Sequence, residues 1–462
     1  MSTMIKQEVY DEVQSLVPLG RKICRHIWSN PEVSGQEKAS AEYYRKVLAK
    51  EGFHIVNNDR LPNAFYAEYG SGHPVLAILG EYDALPGLSQ EVSASKKPLE
   101  EGKPGHGCGH NLLGSAAAIG AIALKRFLEK SQVSGTVRFY GCPEEETLCG
   151  KVKMIAEGMF EGCDAALSWH PMDANLAHDR AYLANTAMKF YFTGKTSHAA
   201  FAPERGRSAL DAVELMSVGC NYLREHVVDK TRIHYTTDSG GFAPNIVPDK
   251  AGAWYFVRAP KISDVKDTAA RVEKVALGAS IMTETQVRVE HGYGCCEFKE
   301  NNAFADLTYA NLIEADGPKY TQSELDFAQE LQNTVDQSIV GKMQKLYRSE
   351  VPAMHMGVGP RDLWKACEMT ASSDTGDVSY IMPTGLFTTA CWPVGCSPHT
   401  WQTSASAGSA LGEKGAHYAA KVIAGCGYDL FMRPELLAKI RREFEDRDDG
   451  TYAPMLADEG KQ

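Results

Sequence analysis

Residues 75–147 decide the fold. They read VLAILGEYDALPG (75–87), GHGCGHNLLGSAAAIGAIALKRFLEK (105–130) and TVRFYGCPEEET (136–147). A short apolar run rich in β-formers, a helical stretch with a small-residue face and a second apolar run make a strand–helix–strand unit. The small residues allow the helix to lie close on a sheet. Basic residues gather near its C-terminal end, where the helix dipole favours them. Residues 84–107, with Pro, Gly, Ser and Lys, read as a long loop of the kind that is often functional. The runs Ala64–Tyr69 and Ala165–Trp169 extend the same pattern into an α/β sheet.

Working outward, residues 4–30 and 38–51 have helical periodicity and read as surface helices. Near residue 187 the pattern changes. MKFYFTG, GAWYFVRAP and QVRVEHGY read as strands, and RSALDAVELMSVGCNYLREHV and SDVKDTAARVEKVALGASIM as helices. This β-α-β-α-β order predicts a small α+β domain at 187–300, inserted between a first part, 1–186, and a second part, 301–462. The second part includes a helix around Ser323–Val340, a strand in PTGLFTTACW and a late helix over Ala407–Ile423.

Composition sets the outer limits. The chain has 462 residues, 44% apolar and 23% charged, enough to bury a core and too apolar for global disorder. A net charge of −11 argues against a nucleic-acid partner. No apolar run approaches the ~20 residues of a membrane span. The polar N-terminal MSTMIKQEVYDEVQSL lacks a signal-peptide core, so the expected location is cytoplasmic. Twelve cysteines in such a chain are expected to be reduced thiols.

Ligand-type side chains cluster at strand ends. Glu81 and Asp83 end one strand, Cys108 and His110 precede a helix, Glu144, Glu145 and Glu146 end a second strand, and His170 ends a third. In open α/β sheets ligands bind beyond the carboxyl ends of strands. Carboxylates and a thiolate neutralise a divalent ion, and imidazole suits Zn or Mn. Three adjacent glutamates after an apolar strand and a Pro would repel one another without a cation. Cys391, Cys396 and His399 in CWPVGCSPH loosely mimic a zinc knuckle, but the spacing is not a standard structural zinc pattern and a fourth ligand is missing nearby.

GEYDALPG, GHGCGHN, CPEEE, SWHP, the HAA at 198–200 and APNIVPD resemble the metallo-aminoacylase, amino-acid amidohydrolase and glutamate carboxypeptidase superfamily. Within it the first three are most similar to the family of B-type subunits of aminobenzoyl-glutamate hydrolase. The resemblance runs from about residue 20 to 425. It implies a zinc-peptidase-like α/β catalytic domain, with a mixed central sheet flanked by helices, and an inserted α+β lid or dimerisation domain. It also implies two divalent ions per subunit, Mn or Zn. Cys108, His110, Glu146, His170 and His399 match the ligands, and Glu145 the general base, with Glu144 as fallback. His198 matches an oxyanion donor that reaches a neighbouring subunit's site, and Asn245 and Arg258 match residues that hold a substrate carboxylate.

The chain departs from the family pattern. Distant relatives have His-x-Asp where this chain has Glu81-Tyr82-Asp83, so Asp83 is left an orienting role. Asn111 replaces an aspartate after the Cys-Gly-His. The activity implied is hydrolysis of an N-acyl amino acid such as p-aminobenzoyl-glutamate, by a homodimer or a heterodimer with an A-type subunit. A dipeptidase, an N-acyl-amino-acid hydrolase with another acyl group, and a non-catalytic partner subunit are the alternatives. Ser373, Asp374 and Asp377 lie in a segment that lines the pocket in relatives and are given no role.

Overall fold

The computed structural model describes residues 5–178, 182–347, 353–363, 371–447 and 450–458. They fall into two compact units. The first is drawn from Met1–Arg180, Lys299–Glu368 and Val378–Tyr452, the second from Ala181–Phe298, Met369–Asp377 and Ala453–Gln462. The strands in chain order are β1 (His54–Asn57), β2 (Phe65–Ser71), β3 (Val75–Glu81), β4 (Gly135–Cys142), β5 (Ala165–Met172), β6 (Leu176–His178), β7 (Ala184–Thr193), β8 (Arg232–Ser239), β9 (Lys250–Ala259), β10 (Gln286–Cys295) and β11 (Thr384–Ala390).

Among the described residues the first unit holds a seven-stranded sheet, ordered β1-β2-β4-β3-β5-β11-β6. Its centre, β4-β3-β5-β11, is parallel, whereas β2 and β6 run against it and β1 pairs antiparallel with β2, so the sheet is mixed. β3 and β11 are buried at every position, as parallel strands covered on both faces require. The helix His110–Ser131 packs against β3 and against a second long helix, Ala410–Met432. Ala116, Ala117, Ala121 and Ala123 are fully or almost fully buried, the close approach its small residues lead one to expect. Although it is long and apolar enough to cross a membrane, 94% of its most apolar window is buried inside the protein.

Several element boundaries differ from the sequence reading. Residues 4–30 form two helices, Lys6–Ser15 and Val17–Ser29, that meet near Pro18 and bury Val9, Val13, Ile23 and Ile27. The expected helix at 323–340 is two, Gln322–Gln332 and Gln337–Tyr347. The late helix expected over Ala407–Ile423 runs from Ala410 to Met432, and a separate short helix, Trp401–Ala407, precedes it. Thr321, Thr400 and Ser409 each supply a capping oxygen that starts the next helix, a signal the apolar periodicity hides.

The second unit is an antiparallel sheet, ordered β10-β7-β9-β8. Helices Ala209–Leu223 and Ile262–Thr283 pack with it around Phe190, Phe192, Met216, Tyr255, Val257 and Val272. The sequence reading missed β8. RIHYTTDS buries only Ile233, because it is an edge strand with polar groups on both faces. The boundary of 301–462 also needs correction. In this unit the Leu183 N–H donates to the Ala371 carbonyl, the Cys296 N–H to Asp377, and the Gly294 N–H to the Met455 carbonyl. Residues 371–377 and 453–458 therefore belong with the inserted unit.

Candidate metal centre

The parallel strands of the first unit end together. Glu81 lies opposite Cys142 in register, so the turn Pro143–Glu146 leaves the sheet beside it. His170 stands near the end of β5, opposite Thr388 of β11. Cys108 and His110 flank Gly109, which starts the core helix with φ +79°. A Cβ at 109 would sit 2.8 Å from the Pro171 ring and 3.1 Å from Trp392, so glycine alone fits. His399 is delivered by the loop after β11, where its N–H donates to the Gly107 carbonyl at 2.9 Å.

Among the described residues three groups of ligand-type atoms result, each with its atoms within 4.8 Å of one another: Cys108, His110 and His170; Cys108, Glu146 and His399; Glu81, His110 and Glu145. Cys108 Sγ lies 3.4 Å from His170 Nε2, and His399 Nε2 lies 3.3 Å from Glu146. All five residues matched to ligands in the sequence are brought together, and so is Glu145, whose carboxylate is 3.8 Å from His110 Nε2. Glu144 points elsewhere. Its carboxylate pairs with Lys153 at 2.6 Å and accepts from the Cys149 thiol.

Hydrogen bonds around the cluster fix which atoms are offered. His110 Nδ1 bonds Asp83 at 2.7 Å and His170 Nδ1 bonds the Pro171 carbonyl at 2.8 Å. Each imidazole therefore turns Nε2 inward as a lone pair, the arrangement of a metal-binding histidine. His110 Nε2 and Glu146 Oε1 are both buried without a hydrogen-bond partner. Burial and the nearby Glu146 push the Cys108 thiol well above its ordinary value. Burial, with Asp83 beside it, pushes Glu146 up to about 7. His170 is pushed down to about 4 by burial and by His110. Orphaned lone pairs, a thiol and carboxylates crowded in one site, largely buried except at His399, fit divalent cations, which favour thiolate, carboxylate and neutral imidazole together.

Asp83 organises the site. Burial opposes its charge, but His110 and hydrogen bonds from the Glu146 N–H and Ser34 hold its carboxyl below the usual range. Two partners escaped the sequence reading. Lys151 is completely buried and pairs with Glu81 at 2.6 Å, neutralising the acid that stands where relatives have imidazole. Glu37, also buried, accepts the Glu144 N–H at 2.8 Å and the Asn63 amide at 3.1 Å. The Glu145 segment is thus held by carboxylates on both sides, with Glu144 at φ +59°. Nothing in SGQE (34–37) sets this glutamate apart from any other polar residue before a helix. Asn111 donates to the Ala407 carbonyl at 3.0 Å and serves the helix packing. Cys391 and Cys396 are buried in the core.

His198, Asn245 and Arg258 lie in the second unit. The N–H groups of Ala200 and Phe201 point at His198 Nδ1, at 3.3 and 3.1 Å. The neutral ring then carries its proton on Nε2. The Asn245 carbonyl accepts the Ala199 N–H, which draws the two loops together. Arg258 lies on β9, its Nε buried without a partner.

Comparison with known proteins gives this geometry its family. A peptidase dimerisation domain of M20 type matches residues 185–278. The B-type subunit of the p-aminobenzoyl-glutamate hydrolase of Escherichia coli is 39% identical over 461 residues, covering 95% of each chain. The chain belongs to the M20 family of metal-dependent hydrolases. It is a metal-dependent amidohydrolase. The Xaa-Arg dipeptidase of Mus musculus is 27% identical over 463 residues, covering 96% of this chain and 92% of its own. In fold, the chain is similar to a dinuclear metal-binding M20 peptidase from Bacillus subtilis, with TM-score 0.58 at 18% identity, covering 91% and 99% of the two chains.

Proposed function

We propose that this amidohydrolase cleaves p-aminobenzoyl-glutamate to p-aminobenzoate and glutamate, with two Zn or Mn ions held by Cys108, His110, Glu146, His170 and His399. The observation that carries this reading is the ligand cluster at the strand ends, in a chain aligned nearly end to end with the Escherichia coli protein. The ions supply charge stabilisation and a more acidic water.

The chain's own groups do the rest. Glu145 takes a proton from the attacking water and returns it to the amide nitrogen as the C–N bond breaks. Asp83 keeps the proton on His110 Nδ1 and holds the Glu146 backbone. His198, with its proton on Nε2, donates to the oxygen of the tetrahedral intermediate in a neighbouring subunit of a dimer. Such a donor is worth about 2.7–4 kcal/mol. Arg258 and Asn245 anchor the substrate carboxylate, and the unpartnered Arg258 Nε supports that role.

The test is a hydrolysis panel on metal-reconstituted protein, using p-aminobenzoyl-glutamate, other N-acyl amino acids and dipeptides, including X-Arg. Highest kcat/KM on p-aminobenzoyl-glutamate is expected. A higher value on dipeptides would overturn the substrate.

A further inference from the structure

The open face of the second sheet carries a line of polar side chains across three strands that have no side-chain partner among the described residues. On β9, Gly252, Trp254, Phe256 and Arg258 alternate with Ala251, Ala253, Tyr255, Val257 and Ala259, which are buried in the core. Arg258 is paired across the strands with Arg232 of β8 on one side and Asn185 of β7 on the other. Residues directly opposite in an antiparallel pair share a face, with Cβ atoms about 4.5–5.5 Å apart. Arg232, Arg258 and Asn185 therefore form one line across three strands.

That line is uncompensated. Like charges directly opposite destabilise a sheet, and the two guanidiniums have no carboxylate partner among the described residues. Arg258 Nε is buried with no hydrogen bond, and so is the side-chain oxygen of Asn185. Arg232 is exposed, and among the described residues its side chain donates only to the carbonyl of its neighbour Thr231. Beside them on the same face stands His234, and Arg224 is close enough to act on it. Burial, then Arg258, Arg224 and Arg232 in turn, hold that imidazole below its ordinary value. The buried, unpaired Nε–H of Arg258 is costly and marks a missing acceptor. Two planar guanidiniums side by side suit two carboxylates, each taken in the bidentate geometry arginine provides.

We infer that Arg232 is a specificity-determining residue, which holds the side-chain carboxylate of an acidic amino acid while Arg258 holds its α-carboxylate. This deepens the reading above and rests on its assignment of Arg258.

Two measurements on the metal-loaded full chain test it. In the first, kcat/KM is compared for p-aminobenzoyl-glutamate and p-aminobenzoyl-glutamine in the wild type and in Arg232→Gln. The wild type should prefer the glutamate compound. The variant should lose that preference by roughly 10–100-fold, the size of a lost charge-assisted hydrogen-bonded pair. In the second, calorimetry compares glutarate with its monoamide. Wild type should bind glutarate more tightly, and Arg232→Gln should bind the two alike. Unchanged discrimination in the variant, in either measurement, would overturn the inference while leaving the hydrolase reading intact. If wild type cleaves neither compound, the hydrolase reading fails, and the glutarate comparison alone judges Arg232.

Discussion

At the scale of single residues the chemistry was legible where the residue types are rare, and illegible where they are common. Cys108, His110, His170 and His399 stand out in any sequence, and they converge at the candidate centre. Lys151 and Glu37 do not stand out, because only folding takes a lysine or a glutamate out of water. The register of the three glutamates becomes readable in three dimensions. Glu144 is tied to Lys153, whereas Glu145 faces His110. Glu145→Gln should therefore lower kcat by roughly 10²–10⁴-fold, the share of a general base, with metal content unchanged. Glu144→Gln should stay within a few-fold of wild type, and steady-state kinetics with metal analysis would show a reversed order if the base were Glu144. Lys151→Met tests the neutralising pair. It leaves Glu81 buried with His110 Nε2, 3.3 Å away, as its cation-forming neighbour. The metal-free protein should then lose about 3–5 kcal/mol in urea denaturation if that imidazole does not take over the pairing. A loss below about 1 kcal/mol would mean that another group already balances Glu81.

Among elements, strands buried along most of their length were read correctly, because the apolar residues they carry on both faces leave a signal that a few polar positions do not hide. β3, β4, β5 and β11 are of this kind, and they position the centre. β8 escaped because both of its faces carry polar groups and only Ile233 is buried, yet it is the strand that places Arg232 opposite Arg258. The start of the core helix is the most constrained junction. Its Gly109 is in left-handed backbone conformation and in contact with the residue that follows His170. Gly109→Ala combines a strained φ with overpacking against a rigid proline ring, a cost of about 1–3 kcal/mol. The same shift moves Cys108 and His110 away from His170. Metal affinity measured by competition with a chelator should fall along with the denaturation midpoint. Retention of wild-type affinity in a destabilised Gly109→Ala would separate the glycine from the ligand geometry.

For the whole molecule, the inserted unit was visible as a change of pattern near 187. Its return segments at 371–377 and 453–458 were not, since they join it through backbone hydrogen bonds that any sequence can make. Stability against acid is also a property of the whole fold. His355 is buried in the first unit, accepts the Asn175 N–H on Nδ1, and is pushed down to about 4 by burial. Between that value and its ordinary 6.5 the unfolded chain binds a proton that the native state does not. Stability is thus fully present above about 6.5 and falls as the pH drops towards 4, by on the order of 2–3 kcal/mol from this group. Urea midpoints measured across that window should decline less steeply in His355→Gln, and an identical slope would show that His355 is already protonated in the native state. The central claim is that hydrolysis depends on cations gathered by Cys108, His110, Glu146, His170 and His399. Its most direct test is titration of the metal-free protein with Zn or Mn while p-aminobenzoate release from p-aminobenzoyl-glutamate is followed. Turnover should be absent at the start, rise with added metal and saturate near two equivalents per chain; equal turnover without metal, or none at any loading, would contradict the account.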